Sequence, residues 1–325
     1  MCGIVGYIGN QDAVPILLNG LKRLEYRGYD SAGISTIRKG QLEICKQKGK
    51  IQELEKKMCG VNLSSNIGIA HTRWATHGEP NVVNAHPHTD CTGKIALIHN
   101  GIIENYSAIK KDLESRGHVF KTETDTEVLA HLIEEQYKEC KNLEKSVRLA
   151  LSLVQGTYGI AVISSDEPDV LISARKGSPI VIGVGDGEYF LASDAAAIVG
   201  HTSQVIYLDD QELAIISKEN VSIKTIDDQP VEKKISRIAF DVSLIEKSGY
   251  PHFMLKEIME QPQTIYDSMR GRLLEDEGTV RLGGIENEVA SLLHARRMLF
   301  TACGTSWHAA LLGEYMLEEY VRIPV

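Results

Sequence analysis

The apolar period of this chain changes twice, and that change limits the fold more than any other feature. Between Asn105 and Val154 apolar residues recur at helical spacing, predicting helices over Asn105–Ser115, Asp125–Cys140 and Leu143–Val154. Val128, Leu129, Leu132, Ile133 and Tyr137 form the stripe of the second. From Tyr158 to Ile226 the period becomes two. Short runs at Ala161–Ser164, Val170–Ala174, Ile180–Val184, Tyr189–Ala192, Val205–Leu208, Leu213–Ile216 and Val221–Ile226 predict a meander. Upstream, strands are expected at the extreme N-terminus, at Ile67–His71 and at Ile95–His99, with a Ser31–Ile37/Leu42–Lys46 hairpin. A helix is expected over Asp12–Glu25, with Asp12 as N-cap. Strands at both ends with helices between them point to two mainly antiparallel sheets faced by helices, an α+β layered sandwich.

The pattern then breaks. Residues 227–249 are polar and read as linker. Beyond them the sequence predicts a helix over Phe253–Arg272, broken at Gln261-Pro262, and another over Glu288–Arg296. A strand over Arg297–Ala302 and a helix from Trp307 to Tyr320 follow. The expected organisation is a first domain at 2–226, a linker at 227–252 and a second region at 253–325. A net charge of −9 argues against general nucleic-acid binding. No apolar run approaches the length of a membrane span, and the N-terminus has no secretory pattern. Six cysteines without a CxxC pair are expected as free thiols in the cytoplasm.

Four polar features carry chemistry. Cys2, once Met1 is removed, joins a thiol nucleophile to a free α-amine of pKa about 7.7–8.0 that can serve as its base; otherwise it is a small buried residue opening a strand. Arg73, in the string His71 to Gly78, offers a bidentate fork for a carboxylate or a structural salt bridge. Asn100-Gly101 supplies two donors for an oxyanion or a simple turn. In Thr122–Glu127, Thr124 or Asp125 caps the next helix, or Asp125 holds a substrate ammonium. His86-Pro87-His88 with Asp90 lacks a third ligand in register, and neither metal nor cofactor is expected. Taken together, the four features describe a free amino acid with a side-chain carbonyl, and glutamine fits.

The strings Cys2–Gly6, Tyr26–Gly33, His71–Gly78, His99–Gly101 and Thr124–Glu127 resemble the class II glutamine amidotransferases. Thr72–Gly78 and His252–Ile258 bring the likeness nearest to members that pass ammonia to fructose 6-phosphate. The resemblance implies a four-layer αββα Ntn-hydrolase sandwich, with Cys2 as nucleophile and Asn100 and Gly101 as oxyanion hole. Arg73, Thr76, His77 and Asp125 would bind L-glutamine, Arg27 would lie near the nucleophile, and Trp74 would gate ammonia. It also implies that Arg297–Trp307 opens an α/β sugar-isomerase (SIS) domain left incomplete here. There Gly304, Thr305 and Ser306 would cradle a sugar phosphate or merely pack a strand against a helix. The full-length protein is expected to be a homodimer. Two other readings stand beside this one: a related N-terminal-nucleophile hydrolase acting on another amide, and a non-catalytic sugar-phosphate-binding or assembly module.

Overall fold

The computed structural model describes residues 2–74, 78–238, 249–269, 271–274, 278–282, 285 and 288–325. The chain divides into two compact units, Met1–Glu246 and Lys247–Val325.

The first unit begins with β1 (Gly3–Ile8), α1 (Ala13–Leu24), β2 (Ser31–Arg38), β3 (Gln41–Lys48), α2 (Ile51–Met58) and β4 (Ile67–Arg73). Next come β5 (His88–Thr89), β6 (Ile95–Ile103), α3 (Tyr106–Ser115), α4 (Asp125–Cys140) and α5 (Leu143–Ser152). The meander follows as β7 (Gly156–Ser164), β8 (Glu167–Lys176), β9 (Val181–Val184), β10 (Tyr189–Ala192), β11 (Gln204–Tyr207), β12 (Glu212–Ile216) and β13 (Val221–Thr225). It closes with β14 (Pro230–Val231) and β15 (Ser236–Arg237). One sheet has the order β15-β11-β9-β10-β1-β4-β2-β3 and the other β14-β13-β12-β8-β7-β6-β5.

Strand alternation builds the layers. Ile4 of β1 and Ile98 of β6 point into a core between the sheets, with Ile69, Ala161, Leu171 and Ala214. Their chain neighbours Val5 and Leu97 face outward. Val5 packs under Leu17 and Leu21 of α1; Leu97 packs under Leu129 of α4 and Val147 of α5. Helices thus cover both outer faces. Each fully buried Leu or Ile side chain contributes about 1.5–3 kcal/mol. Asp12 caps α1 by accepting from Val14 N–H, a contact worth about 1 kcal/mol. Gly20 lets α1 approach β1, since a Cβ there would sit 2.8 Å from Val5 Cγ1.

Residues 230–231 and 236–237 fall in the stretch expected to be linker. They pair with β13 and β11 respectively. Two-residue strands among Asp, Gln, Glu and Lys carry no readable period.

The second unit contains α6 (Phe253–Met269), the paired strands β16 (Leu273–Leu274) and β17 (Thr279–Val280), α7 (Val289–Leu293) and α8 (Thr305–Tyr320). Two expectations fail here. Pro262 does not break α6; the helix is exposed along most of its length, so water can replace the backbone bond that proline removes. Arg297–Ala302 is not a strand. Its Met298 N–H donates to Pro324 O, and no described strand pairs with it. An apolar run becomes a strand only when a neighbour accepts its ladder. No described helix is long and apolar enough to cross a membrane.

Candidate active site

The register of β1 against β4 sets the centre of the site. Gly3 lies opposite Thr72, so Cys2 stands beside the end of β4, where Arg73 and Trp74 follow. Trp74 N–H donates to Cys2 Sγ at 3.1 Å. Burial pushes the Cys2 thiol above its ordinary pKa, and this N–H draws it part of the way back. The resting group is therefore a thiol that needs a base. The other side of β1 is tied down by Ser193: Ile4 N–H donates to Ser193 Oγ at 3.0 Å and Ser193 N–H returns to Ile4 O at 3.0 Å.

Asn100 and Gly101 lie inside β6, paired with Gly159 and Tyr158, and not in a turn after it. Asn100 Nδ2 donates to Cys2 O at 3.1 Å. A carboxamide NH₂ carries a second donor, and Asn100 and Cys2 line the same cavity. Gly101 has φ +135°, and a Cβ there would lie 2.1 Å from Thr157 O. Only glycine fits that backbone.

Arg73 is buried. Its two terminal nitrogens donate to Gly78 O (3.0 Å) and Glu79 O (3.3 Å), which braces the guanidinium. Thr124 caps α4 by accepting from Glu127 N–H. Asp125, the first residue of α4, accepts from Ile103 N–H at 2.8 Å, which pins the helix start to the end of β6. Arg27 pairs with Asp194 at 2.8 Å. Trp74 remains 49% exposed, with its ring edge-on to Tyr29.

One cavity of about 340 Å³ joins these groups: Cys2, Arg27, Arg73, Trp74, Asn100, Gly101 and Asp125 all line it. Thr76 and His77 lie outside the described residues. Gly304, Thr305 and Ser306 belong to the second unit, where Gly304 has φ +62° and α8 starts at Thr305.

Sequence reasoning missed the support beneath the cavity. His71 Nε2 lies 2.9 Å from Asn100 Oδ1, and the His71 ring stacks on His86 at 4.1 Å. His86 Nδ1 accepts from His99 N–H, and His88 Nε2 meets Thr124 Oγ1 at 3.2 Å. Asp90 serves its own loop, accepting from Lys94 and Ile95 N–H. The His86-Pro87-His88 string thus belongs to a packed polar layer. Burial lowers the His71 pKa to about 3 and holds His86 and His88 well below the ordinary range, so all three are neutral. The histidines were visible in the sequence, but their convergence across two strands and a loop was not.

A half-buried thiol with an adjacent donor, a two-donor pocket, an arginine and a carboxylate can together receive a small zwitterion and acylate sulfur. Comparisons with known proteins agree in class. The family model described as "Glutamine amidotransferase domain" matches residues 39–241. Glutamine–fructose-6-phosphate aminotransferase [isomerizing] of Chlorobaculum tepidum is 54% identical over 100% of this chain and 54% of its own length. The enzyme of the same name from Bacteroides thetaiotaomicron is 51% identical over 100% of this chain and 53% of its own. The chain thus spans about half the length of these curated relatives. Among solved structures, glutamine phosphoribosylpyrophosphate amidotransferase from B. subtilis is similar with a TM-score of 0.60 and 30% identity. That match covers 69% of this chain and 49% of the other.

Proposed function

The chain belongs to the glutamine amidotransferase family, and from that premise we propose that its first unit is an Ntn-type glutaminase that releases ammonia from L-glutamine through a Cys2 thioester. The observation that carries this reading is the single cavity shared by Cys2, Arg73, Asn100, Gly101 and Asp125.

In this mechanism Arg73 grips the α-carboxylate and Asp125 the α-ammonium, with Thr76 and His77 completing the substrate loop. Cys2 Sγ attacks the side-chain carbonyl carbon while its proton passes to the Cys2 α-amine, which is free once Met1 is removed. The oxyanion is held by the second Asn100 Nδ2–H and by Gly101 N–H. The α-amine returns the proton to the leaving nitrogen, the C–N bond breaks and ammonia departs. Water then cleaves the γ-glutamyl thioester to glutamate and restores the thiol. Arg27, clamped by Asp194, holds the wall of the cavity beside the nucleophile.

We further propose that in the longer protein Trp74 gates ammonia on its way to fructose 6-phosphate. The names of the relatives support this acceptor. Residues 253–325 would begin the SIS domain, with Gly304, Thr305 and Ser306 contributing to its phosphate cradle. We place the full-length protein in the cytoplasm as a homodimer.

The test is a substrate comparison on Met1-processed protein. L-glutamine should yield glutamate and ammonia in equal amounts, and N-acetylglutamine should be a poor substrate because it lacks the ammonium. A blocked amide outperforming glutamine would move the protein to another N-terminal-nucleophile hydrolase.

A further inference from the structure

We propose that Cys91, His118, His131 and Glu134 form a binding site for one zinc-class divalent metal ion. None of the four lines the glutamine cavity. Cys91 lies in the loop between β5 and β6, His118 between α3 and α4, and His131 and Glu134 on one face of α4. The donor atoms of all four lie within 4.8 Å of one another.

Three of the four separations match a coordination shell, and the fourth is about 0.2 Å tighter. A tetrahedral ion bound at about 2.3 Å to sulfur and 2.0–2.1 Å to nitrogen or oxygen places its ligands about 3.3–3.6 Å apart. Cys91 Sγ lies 3.6 Å from His118 Nδ1 and 3.3 Å from His131 Nδ1. The two Nδ1 atoms are 3.1 Å apart, and Glu134 Oε2 is 3.4 Å from His118 Nδ1.

The outer contacts give a second, independent indication. His118 Nε2 lies 3.0 Å from Glu135 Oε2, and His131 Nε2 lies 3.7 Å from Glu127 Oε1. A carboxylate on the Nε2 side of each ring, at hydrogen-bond distance for His118 only and with Lys138 Nζ also 3.3 Å from His118 Nε2, favours the tautomer whose Nδ1 lone pair turns inward, the arrangement of metal-bound imidazoles. Two such lone pairs aimed at one point repel unless a cation or a proton lies between them. Glu134 Oε2 also accepts from Cys91 N–H at 2.9 Å, which holds the thiol loop against the helix. Lys138 pairs with the other oxygen, Glu134 Oε1, at 3.4 Å.

Charge and softness select the ion. One thiolate and one carboxylate neutralise a divalent cation, and a sulfur–imidazole donor set favours zinc over calcium or magnesium. Four protein ligands leave no open position, so the metal would be structural. It would clip the β5–β6 loop and the α3–α4 segment to α4, the helix whose first residue, Asp125, faces the glutamine cavity. Both histidines and Glu134 are buried while Cys91 is exposed, which leaves a path of entry.

The test uses the whole chain, stripped with chelator, dialysed and titrated with Zn²⁺ or Co²⁺. We expect one metal per chain, and Co²⁺ should give tetrahedral d–d bands with a sulfur-to-cobalt charge-transfer band. Cys91→Ser should abolish the charge-transfer band, while Cys2→Ala and Cys59→Ser keep it. Zinc should raise the melting temperature of the wild-type chain and leave that of Cys91→Ser where it was. If zinc-loaded and stripped wild-type chains melt together and cobalt gives no thiolate band, the four groups only hydrogen-bond to one another and the proposal fails. That wild-type comparison decides the matter even if a variant does not fold.

Discussion

His71 Nε2 lies 2.9 Å from Asn100 Oδ1, and this contact decides which end of the Asn100 amide faces Cys2. The carboxamide oxygen accepts only, so the imidazole must donate from Nε2, and the NH₂ is turned toward the Cys2 carbonyl. Neutral, buried His71 thus serves as a positioning residue for the expected oxyanion donor. Asn100→Ala should lower kcat for glutamine by about 10²–10³ and leave KM little changed, the pattern for a lost oxyanion donor. Steady-state kinetics that return an undiminished kcat would remove Asn100 from that role.

Gly101 tests the other donor through the backbone. With φ +135° and Thr157 O only 2.1 Å from the site of an added Cβ, Gly101→Ala must shift either β6 or β7. The expected cost is on the order of 3 kcal/mol in urea unfolding, with glutaminase activity lost as well. An alanine variant of native stability would contradict the described backbone.

Arg73 and Asp125 should act on substrate binding. Arg73→Lys keeps the charge but loses the fork, and Asp125→Asn loses the charge that faces an ammonium. Each should raise KM for glutamine by about 30-fold, equivalent to roughly 2 kcal/mol for a charged hydrogen bond. Because Asp125 also accepts from Ile103 N–H, the unfolding midpoint of each variant should be measured beside its kinetics. A KM within twofold of the parent in a folded variant would mean that the residue does not touch substrate.

The layers of the first unit were legible because they are written in period. Ile4 and Val5, or Leu97 and Ile98, alternate between inner and outer cores, and the α4 stripe runs as expected. Asp12 and Thr124 announce their helices by type and place. What escaped depends on partners distant in sequence. Arg27 meets Asp194 and His71 meets Asn100 only after the sheets form. Nothing local to Asn100-Gly101 distinguishes a strand-embedded pair from a turn, and pairing with β7 decides it. In the second unit Arg297–Ala302 has strand composition but no described strand beside it, and Pro262 sits within a helix that its local signal would end.

The neutral histidines set an acid limit on stability. His71 is held near pKa 3 by burial, and His86 and His88 are held well below the ordinary range by the same cause. Below pH about 6.5 the unfolded chain takes up protons that the native chain refuses. Stability is therefore full above that pH and falls as pH drops from 6.5 toward 3. The slope approaches about 1.4 kcal/mol per pH unit for each histidine. Urea midpoints at pH 7.5 and 5.5 should differ markedly, with the lower value at pH 5.5. Equal midpoints would mean that these rings take up protons in the folded protein.

Cys2 remains the test of the whole account. Intact mass spectrometry of the purified chain, before and after treatment with a glutamine-like electrophile, reads processing and nucleophile together. The account predicts loss of Met1 and a single adduct that maps to Cys2 and forms in step with the loss of glutaminase activity. Excess L-glutamine should protect against it. Modification at another cysteine with activity abolished, or full activity in Cys2→Ala, would contradict it.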